Sequence, residues 1–268
     1  MDLAKVLQDI KNGKIGLEAA EEQIRSMGFV SYSSIAKVDT HRKNRTGIME
    51  AVLADCKEPE DVVEIARIMA SESRRALITR VSASHLEALK AAFSPDKLEW
   101  NSRARTVVVH DGTPAPRTGG VVGVISAGTA DIPAAEEAGV VASEMGCEVV
   151  SVYDVGVAGI HRLIPELQKL KARNPGAIVV AAGREGTLPT VVSGLVDVPV
   201  IGLPVSTGYG AGGGGKAALL SMLQSCSILA VVNIDAGFVA GAYAARIANM
   251  IADASGAGAK PENKDPQE

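Results

Sequence analysis

The residues best equipped for chemistry lie in the second half of the chain, where a carboxylate and a thiol flank a run of glycines. The carboxylate is Glu185, in Gly183-Arg184-Glu185-Gly186-Thr187-Leu188-Pro189. The glycines follow at Gly208-Tyr209-Gly210-Ala211-Gly212-Gly213-Gly214-Gly215, and the thiol closes the run at Ser225-Cys226. Such loops let a ligand approach the backbone closely, because no Cβ intervenes. A carboxylate and a soft nucleophile beside a nucleotide-sized loop point to chemistry on an electron-poor ring.

Further polar groups stand at the ends of apolar runs. Ser126-Ala127-Gly128-Thr129-Ala130-Asp131 offers hydroxyls and backbone amides at a helix start, which suits phosphate. The same residues read as an ordinary capped helix, with Asp131 as N-cap and Pro133 just inside. The pattern is not the glycine fingerprint of a dinucleotide Rossmann site. Asp154-Val155-Gly156-Val157-Ala158-Gly159-Ile160-His161-Arg162 puts a carboxylate, an imidazole and a guanidinium in one loop. It is either a functional loop or a helix start with an exposed His-Arg pair; an unperturbed His161 titrates near neutral pH. Glu185 is a general base if a dry loop raises its pKa, and a helix-capping carboxylate otherwise. Asp39-Thr40-His41-Arg42-Lys43-Asn44-Arg45-Thr46-Gly47 concentrates cations in a chain of net charge −4. His41, Arg42 and Arg45 there form an anion site or a solvated loop. Cys226 follows a predicted helix, whose negative dipole end does not stabilise a thiolate, so activation has to come from elsewhere, such as a bound cationic ring. Cys56 and Cys147 read as buried small hydrophobes. Neither His41 nor His161 has metal-ligand spacing with a cysteine.

These groups need a scaffold. Strands are predicted at Val121–Ser126, Glu148–Tyr153, Ala177–Ala182, Val198–Leu203 and Ile228–Asn233. Helices are predicted at Pro133–Met145, Ile160–Ala172, Leu188–Leu195, Lys216–Gln224 and Gly237–Ile251. Continuous apolar strands alternating with helices mean a parallel sheet covered on both faces. Right-handed crossovers give a doubly wound, flavodoxin-like α/β layer, in which ligands bind at the carboxyl ends of the strands. The glycine loops fall there.

A stretch dense in breakers, Asp111 to Gly120, separates this region from a different first part. That part carries helical spacing at Leu3, Val6, Leu7 and Ile10 and at Leu17, Ala20 and Ile24. A helix over Glu60–Ala70 is predicted behind Pro59, with strands at Ala76–Thr79 and Arg105–Val109. The expected organisation is a small α+β domain over 1–116, an α/β domain over 117–253, and a disordered tail over 254–268.

Composition narrows the partners. With 47% hydrophobic and 22% charged residues the chain is globular and long enough for two domains. A net charge of −4 and 3% aromatic residues argue against nucleic acid. No stretch reaches the roughly 18 apolar residues of a membrane span, and the charged start, Asp2, Lys5 and Asp9, lacks a signal-peptide core. Three widely spaced cysteines without a C-x-x-C pair fit a reducing cytoplasm.

Taken together, the motifs resemble a known family. They are Asp-Thr-His-Arg-x-x-Arg-Thr-Gly at 39–47, Gly-Thr-Ala-Asp at 128–131 and Asp-Val-Gly-Val-Ala-Gly-Ile-His-Arg at 154–162. With them come Glu-Gly-x-Leu-Pro at 185–189, Gly-Tyr-Gly at 208–210, Ser-Cys at 225–226 and Val-Asn-Ile-Asp-x-Gly-Phe at 232–238. The second half resembles the PurE superfamily of aminoimidazole ribonucleotide carboxylases and mutases. The whole chain except the tail resembles the LarB family of nickel-pincer-nucleotide biosynthesis. The chain departs from the pattern at Met49-Glu50, where Pro-Glu is expected, and at Lys216, which follows Gly212 to Gly215.

The resemblance implies a PurE-type α/β domain and a carboxylase-hydrolase. Its substrate would be nicotinic acid adenine dinucleotide, with CO₂ as co-substrate. The products would be AMP and pyridinium-3,5-biscarboxylic acid mononucleotide. It implies Cys226 as nucleophile and Glu185 as base, with Asp154, His161 and the 39–47 segment as candidates for phosphoanhydride cleavage. Ser126, Gly128, Thr129, Asp131, Gly156, Gly159, Arg162, Gly183, Gly208, Tyr209, Gly210, His41, Arg42 and Arg45 would bind substrate. No tightly bound organic cofactor is expected; Mg²⁺ is a candidate aid to the cleavage. A homo-octamer with active sites between subunits is expected. Two other readings stand beside this one: a PurE-type carboxylase or mutase on an imidazole ribonucleotide, and a nucleotide-binding regulatory module without catalysis.

Overall fold

The computed structural model describes residues 3–26, 30–32, 36–39, 42–115 and 117–256. They divide into two compact units, one of 1–100 with 107–113 and one of 101–106 with 114–268.

In the first unit, amphipathic spacing yields α1 (Leu3–Lys11) and α2 (Leu17–Ser26). A two-stranded antiparallel pair, β1 (Val30–Tyr32) and β2 (Ala36–Val38), follows. Then come α3 (Arg42–Thr46), β3 (Ala51–Leu53), α4 (Pro59–Ser73), β4 (Arg75–Thr79), α5 (Ala83–Ala92), β5 (Leu98–Asn101) and β6 (Thr106–His110). The sheet order is β3-β4-β6-β5, with β3 parallel and β6 antiparallel to β4. The core joins Val62, Ala66 and Met69 of α4 to Ile78, Leu89, Val107 and Val109. This is the small α+β arrangement expected. The helix predicted over Glu60–Ala70 starts at Pro59 and runs to Ser73, with Glu60 and Asp61 in its first turn. Helix α5 escaped the sequence reading. Its capping box uses His85 where Glu is usual: Ser82 accepts from the His85 amide and the His85 ring accepts from the Ser82 amide.

The second unit alternates strand and helix as predicted. Its elements are β7 (Val121–Ser126), α6 (Ile132–Glu144), β8 (Glu148–Val152), α7 (Ile160–Lys171) and β9 (Ala177–Ala182). They continue with α8 (Leu188–Ser193), β10 (Val200–Pro204), α9 (Lys216–Leu223), β11 (Ala230–Val231) and α10 (Gly237–Ser255). The described residues form an all-parallel sheet of order β11-β10-β9-β7-β8. That is the flavodoxin-like order, with its switch point between β7 and β9. The predicted strand Ile228–Asn233 shrinks to Ala230–Val231, a short edge strand paired only with β10. Helix α10 continues through Ser255 to a left-handed Gly256, beyond the expected start of the tail at Ala254; residues 257–268 of that tail lie outside the described residues.

The two faces of the sheet are packed differently. One carries large aliphatics: Leu163, Leu167 and Leu170 of α7, Leu188 and Val192 of α8 and Met222 of α9, against Ile125, Ile178 and Val180. The other carries α6 and α10, which meet through small residues. Ala240, Ala244, Ala248 and Ala252 recur every four positions and are buried. A Cβ added at Gly241 would lie 2.3 Å from the Ala138 carbonyl oxygen, so the two backbones touch there. Among the described residues no helix is long and apolar enough to cross a membrane.

Gly241→Val is expected to force these helices apart, at a cost of about 2 kcal/mol. The readout is a thermal midpoint lowered by roughly 5 °C. An unchanged midpoint would mean the contact is not a constraint.

Candidate active site

The loops that leave β7, β9 and β10 start side by side, because the ladder runs one residue past each strand. The Ala127 amide donates to the Ala181 carbonyl at 2.9 Å and the Val205 amide to the Ala182 carbonyl at 3.1 Å. Segments 128–131, 183–186 and 206–210 therefore converge at the switch point, where ligands bind in open parallel sheets.

Asp131 ties them together. It is 6% exposed. Its carboxylate accepts from the Gly128 amide at 2.9 Å and from the Thr207 hydroxyl at 3.0 Å, and the Gly183 amide also donates to it. The sequence reading placed it as N-cap of α6. It holds that position with Pro133 just inside, but its side chain does not cap that helix. The carboxylate turns back instead and bridges three loops. Gly183 makes this possible: a Cβ there would sit 2.3 Å from Thr207 Oγ1 and 2.7 Å from Asp131 Oδ1. Burial raises the Asp131 pKa above the usual carboxylate range. The donors from Gly128, Thr207 and Gly183 pull it back, and the charge of Glu185 adds a smaller upward push.

The loop after β8 is fastened to the same rim. Ser126 is fully buried, and its hydroxyl accepts from the Asp154 amide at 3.3 Å. Asp154 has a left-handed backbone, φ 58°, and its carboxylate takes Arg162 Nη1 at 2.7 Å. Both side chains are part-exposed, so this pair is worth at most about 1 kcal/mol. Its effect is to orient both groups. Gly156 lies against the Ala127 carbonyl and Gly159 against the Arg162 guanidinium. His161 is exposed on the first turn of α7.

Glu185 is exposed beside Gly183. Next to it is a residue the sequence reading passed over. The Arg184 guanidinium lies 4.3 Å from the centre of the Tyr209 ring, a contact worth roughly 0.5–1 kcal/mol at an exposed site. The signal was available: a cation inside a glycine loop, adjacent to the candidate base. Gly208 and Gly210 flank Tyr209, and Gly208 packs on the Gly183 carbonyl. Lys216 is exposed at the first position of α9.

Cys226 lies elsewhere on the sheet. It is exposed in the turn that leads from α9 into β11, on the amino side of the strands, whereas Glu185 leaves the carboxyl side. Ser225 fixes the turn: its Oγ accepts from the Thr190 hydroxyl at 2.9 Å and from the Ser227 amide at 3.1 Å. Of the other thiols, Cys147 is buried as expected, and burial pushes its pKa up to about 11. Cys56 corrects the sequence reading: it is exposed, in a turn with φ 62°.

In the first unit, Arg42 and Arg45 sit on α3, and His41 lies outside the described residues. Asp39 holds the Arg45 guanidinium through both carboxylate oxygens, so Arg45 is already paired, while Arg42 is exposed. Glu50 has one carboxylate oxygen buried without a hydrogen-bond partner, and burial raises its pKa, offset by the Asp39 amide. Among the described residues no three His, Cys, Asp or Glu side chains gather as a metal site.

Comparison with known proteins follows the division into two parts. Residues 30–111 match the family described as LarB/PurE-like N-terminal domain, and residues 121–260 match the AIR carboxylase family. An uncharacterized protein of Methanocaldococcus jannaschii is 37% identical over 254 residues, 93% of this chain and 98% of that protein. N5-carboxyaminoimidazole ribonucleotide mutases are more distant. That of Pyrococcus horikoshii is 31% identical over 42% of this chain and 63% of its own length. That of Thermotoga maritima is 28% identical over 32% of this chain and 50% of its own length.

A carboxyl raised by burial stabilises the fold fully below its unfolded pKa and loses that contribution as pH rises through its native pKa. The stability advantage of the native protein over Asp131→Asn, which does not titrate, is therefore expected to shrink as pH rises from the ordinary Asp range toward neutrality. Denaturant midpoints of both proteins against pH measure this. An advantage that grows with pH would contradict the burial argument.

Proposed function

This chain belongs to the LarB family, a LarB/PurE-like N-terminal domain followed by a PurE-like AIR carboxylase domain, and we propose that it is a pyridinium carboxylase-hydrolase. In this reading it converts nicotinic acid adenine dinucleotide, CO₂ and water to pyridinium-3,5-biscarboxylic acid mononucleotide and AMP. The observation that carries the reading is an accessible thiol, Cys226, on a PurE-like carboxylase domain. An aminoimidazole is electron-rich and attacks CO₂ unaided. A pyridinium is not, and needs a nucleophile first.

The thiolate of Cys226 adds to C4 of the ring, which breaks aromaticity and leaves an enamine. C5 becomes nucleophilic and attacks CO₂. Glu185 then takes the C5 proton, and expulsion of Cys226 restores the ring. The positive ring favours the thiolate, supplying the activation that the end of α9 does not. The diphosphate is then hydrolysed; Asp154, His161 and the 39–47 segment remain the candidates, and Mg²⁺, if bound, would neutralise charge on the diphosphate.

Glu185 follows the carboxyl end of β9 and Cys226 precedes the amino end of β11, and in this reading a neighbouring copy supplies the Cys226 that meets Glu185. We propose a homo-octamer whose active sites lie between subunits. In support, Leu220, Leu223 and Ile228 around the Cys226 turn are exposed apolar residues, Ile228 to 97%. Burial of Glu185 against the neighbour and the ligand would also supply the drying that a base near neutral pH requires. A cytoplasmic setting is proposed, where free thiols persist.

The test is mass spectrometry of the products from purified protein, nicotinic acid adenine dinucleotide and ¹³C-bicarbonate, with Cys226→Ala alongside. The expected outcome is AMP and a ¹³C-labelled dicarboxylated mononucleotide, with labelling falling at least about a thousandfold in the variant. Because Cys226→Ala removes only one sulfur atom and adds nothing, the variant should melt with the native protein. AMP without label would leave only a hydrolase. The second reading, a carboxylase or mutase on an imidazole ribonucleotide, draws on the two mutase relatives and requires that Cys226→Ala keep full activity.

A further inference from the structure

Substrate and product of the proposed reaction both carry a carboxylate on the ring, and the product carries two. The converging loops they would meet already carry Asp131 and Glu185, close enough that the charge of Glu185 raises the Asp131 pKa. A ring carboxylate brought into this field needs a cation beside it.

The cations at the rim differ in availability. Arg162 is engaged by Asp154 at 2.7 Å. Lys216 is exposed at the start of α9. Arg184 adjoins Glu185 in the chain, and among the described residues its guanidinium is ion-paired with no carboxylate. Its contact is with the face of Tyr209, 4.3 Å away. A guanidinium over a ring face can still present its N–H edge to an incoming anion. That edge is a planar fork matching the two oxygens of a carboxylate. The loops on which the two residues sit are themselves tied together: Gly208 packs on the Gly183 carbonyl, and Thr207 and Gly183 both donate to Asp131. The loops that carry Arg184 and Tyr209 are thus held by the same buried hub.

We propose that Arg184, held by Tyr209, is the residue that recognises the ring carboxylate and makes the protein select the acid form of a pyridine nucleotide over its amide. This rests on the pyridinium reading of the site. A carboxamide is neutral and presents its own N–H groups, so it cannot accept from both arms of the fork. Lys in place of Arg would keep the charge but lose the paired geometry. Tyr209 acts through Arg184, as a positioning residue.

The experiment measures binding of nicotinic acid mononucleotide and nicotinamide mononucleotide to the full-length protein by calorimetry. Native protein, Arg184→Met, Arg184→Lys and Tyr209→Leu are compared. Native protein is expected to prefer the acid by on the order of 10- to 100-fold, the range of a charge-assisted hydrogen bond. Arg184→Met should bring the two affinities within about threefold of each other by weakening the acid alone. Arg184→Lys should keep part of the preference, and Tyr209→Leu should reduce it without abolishing it. These residues are exposed, so matching thermal midpoints exclude misfolding as the cause. A preference that survives Arg184→Met, or equal weakening of both ligands, overturns the role of Arg184 and leaves the carboxylase reading standing. Failure of native protein to bind either nucleotide overturns both.

Discussion

Asp131 accepts from Gly128, from Gly183 and from Thr207, groups that belong to loops leaving three different strands. A carboxylate so far from water is costly unless its oxygens are satisfied. Here the donors that offset the cost are the loops themselves, so the charge is tolerated only while the loops stay together. The convergence of these loops is therefore built from within. Gly183 belongs to the same constraint, because any side chain there would occupy the space of the Thr207 hydroxyl and the Asp131 oxygen. Arg184, Glu185 and Tyr209 inherit their positions from this arrangement, since each lies within two residues of a group bonded to Asp131.

The frame around the hub depends on two kinds of packing. On one face, leucine and methionine from α7, α8 and α9 fill the space over the sheet. On the other, α6 and α10 approach until backbone meets side-chain-free backbone at Gly241. Small-residue contact gains less from apolar burial than aliphatic packing does, but it fixes distance sharply because nothing flexible intervenes. The outer surfaces tell the opposite story. Leu220, Leu223, Ile228, Val239 and Tyr243 remain at least half exposed in one chain, a distribution suited to subunit contact in the proposed assembly.

Much of the second unit could be read from its residues. The strand Ala177–Ala182 is a continuous apolar run and is buried at every position, which is what a central parallel strand requires. The edge was harder: Ile228–Asn233 looks like a strand by composition, yet only Ala230 and Val231 pair with β10, and the chain then enters the turn at Ile234 and Asp235. In the first unit, α5 was missed because His85 replaced the glutamate of a capping box. Cys56 was misjudged because its type favours burial while its turn lies at the surface.

By itself, the sequence determined the order and type of the elements, the glycine loops after the strands, and the stock of reactive groups, Glu185, Cys226, Asp154 and the cations. These are local properties, carried by periodicity and residue chemistry over a few positions. The tertiary structure alone decided that Asp131 turns away from its helix to join three loops, that Arg184 lies on Tyr209, and that Ser225, beside Cys226, is bonded to Thr190 of α8. Each of those facts depends on strand order and register between segments tens of residues apart, and on how much water the packing leaves around each charge. Neither quantity is encoded in any short stretch of chain.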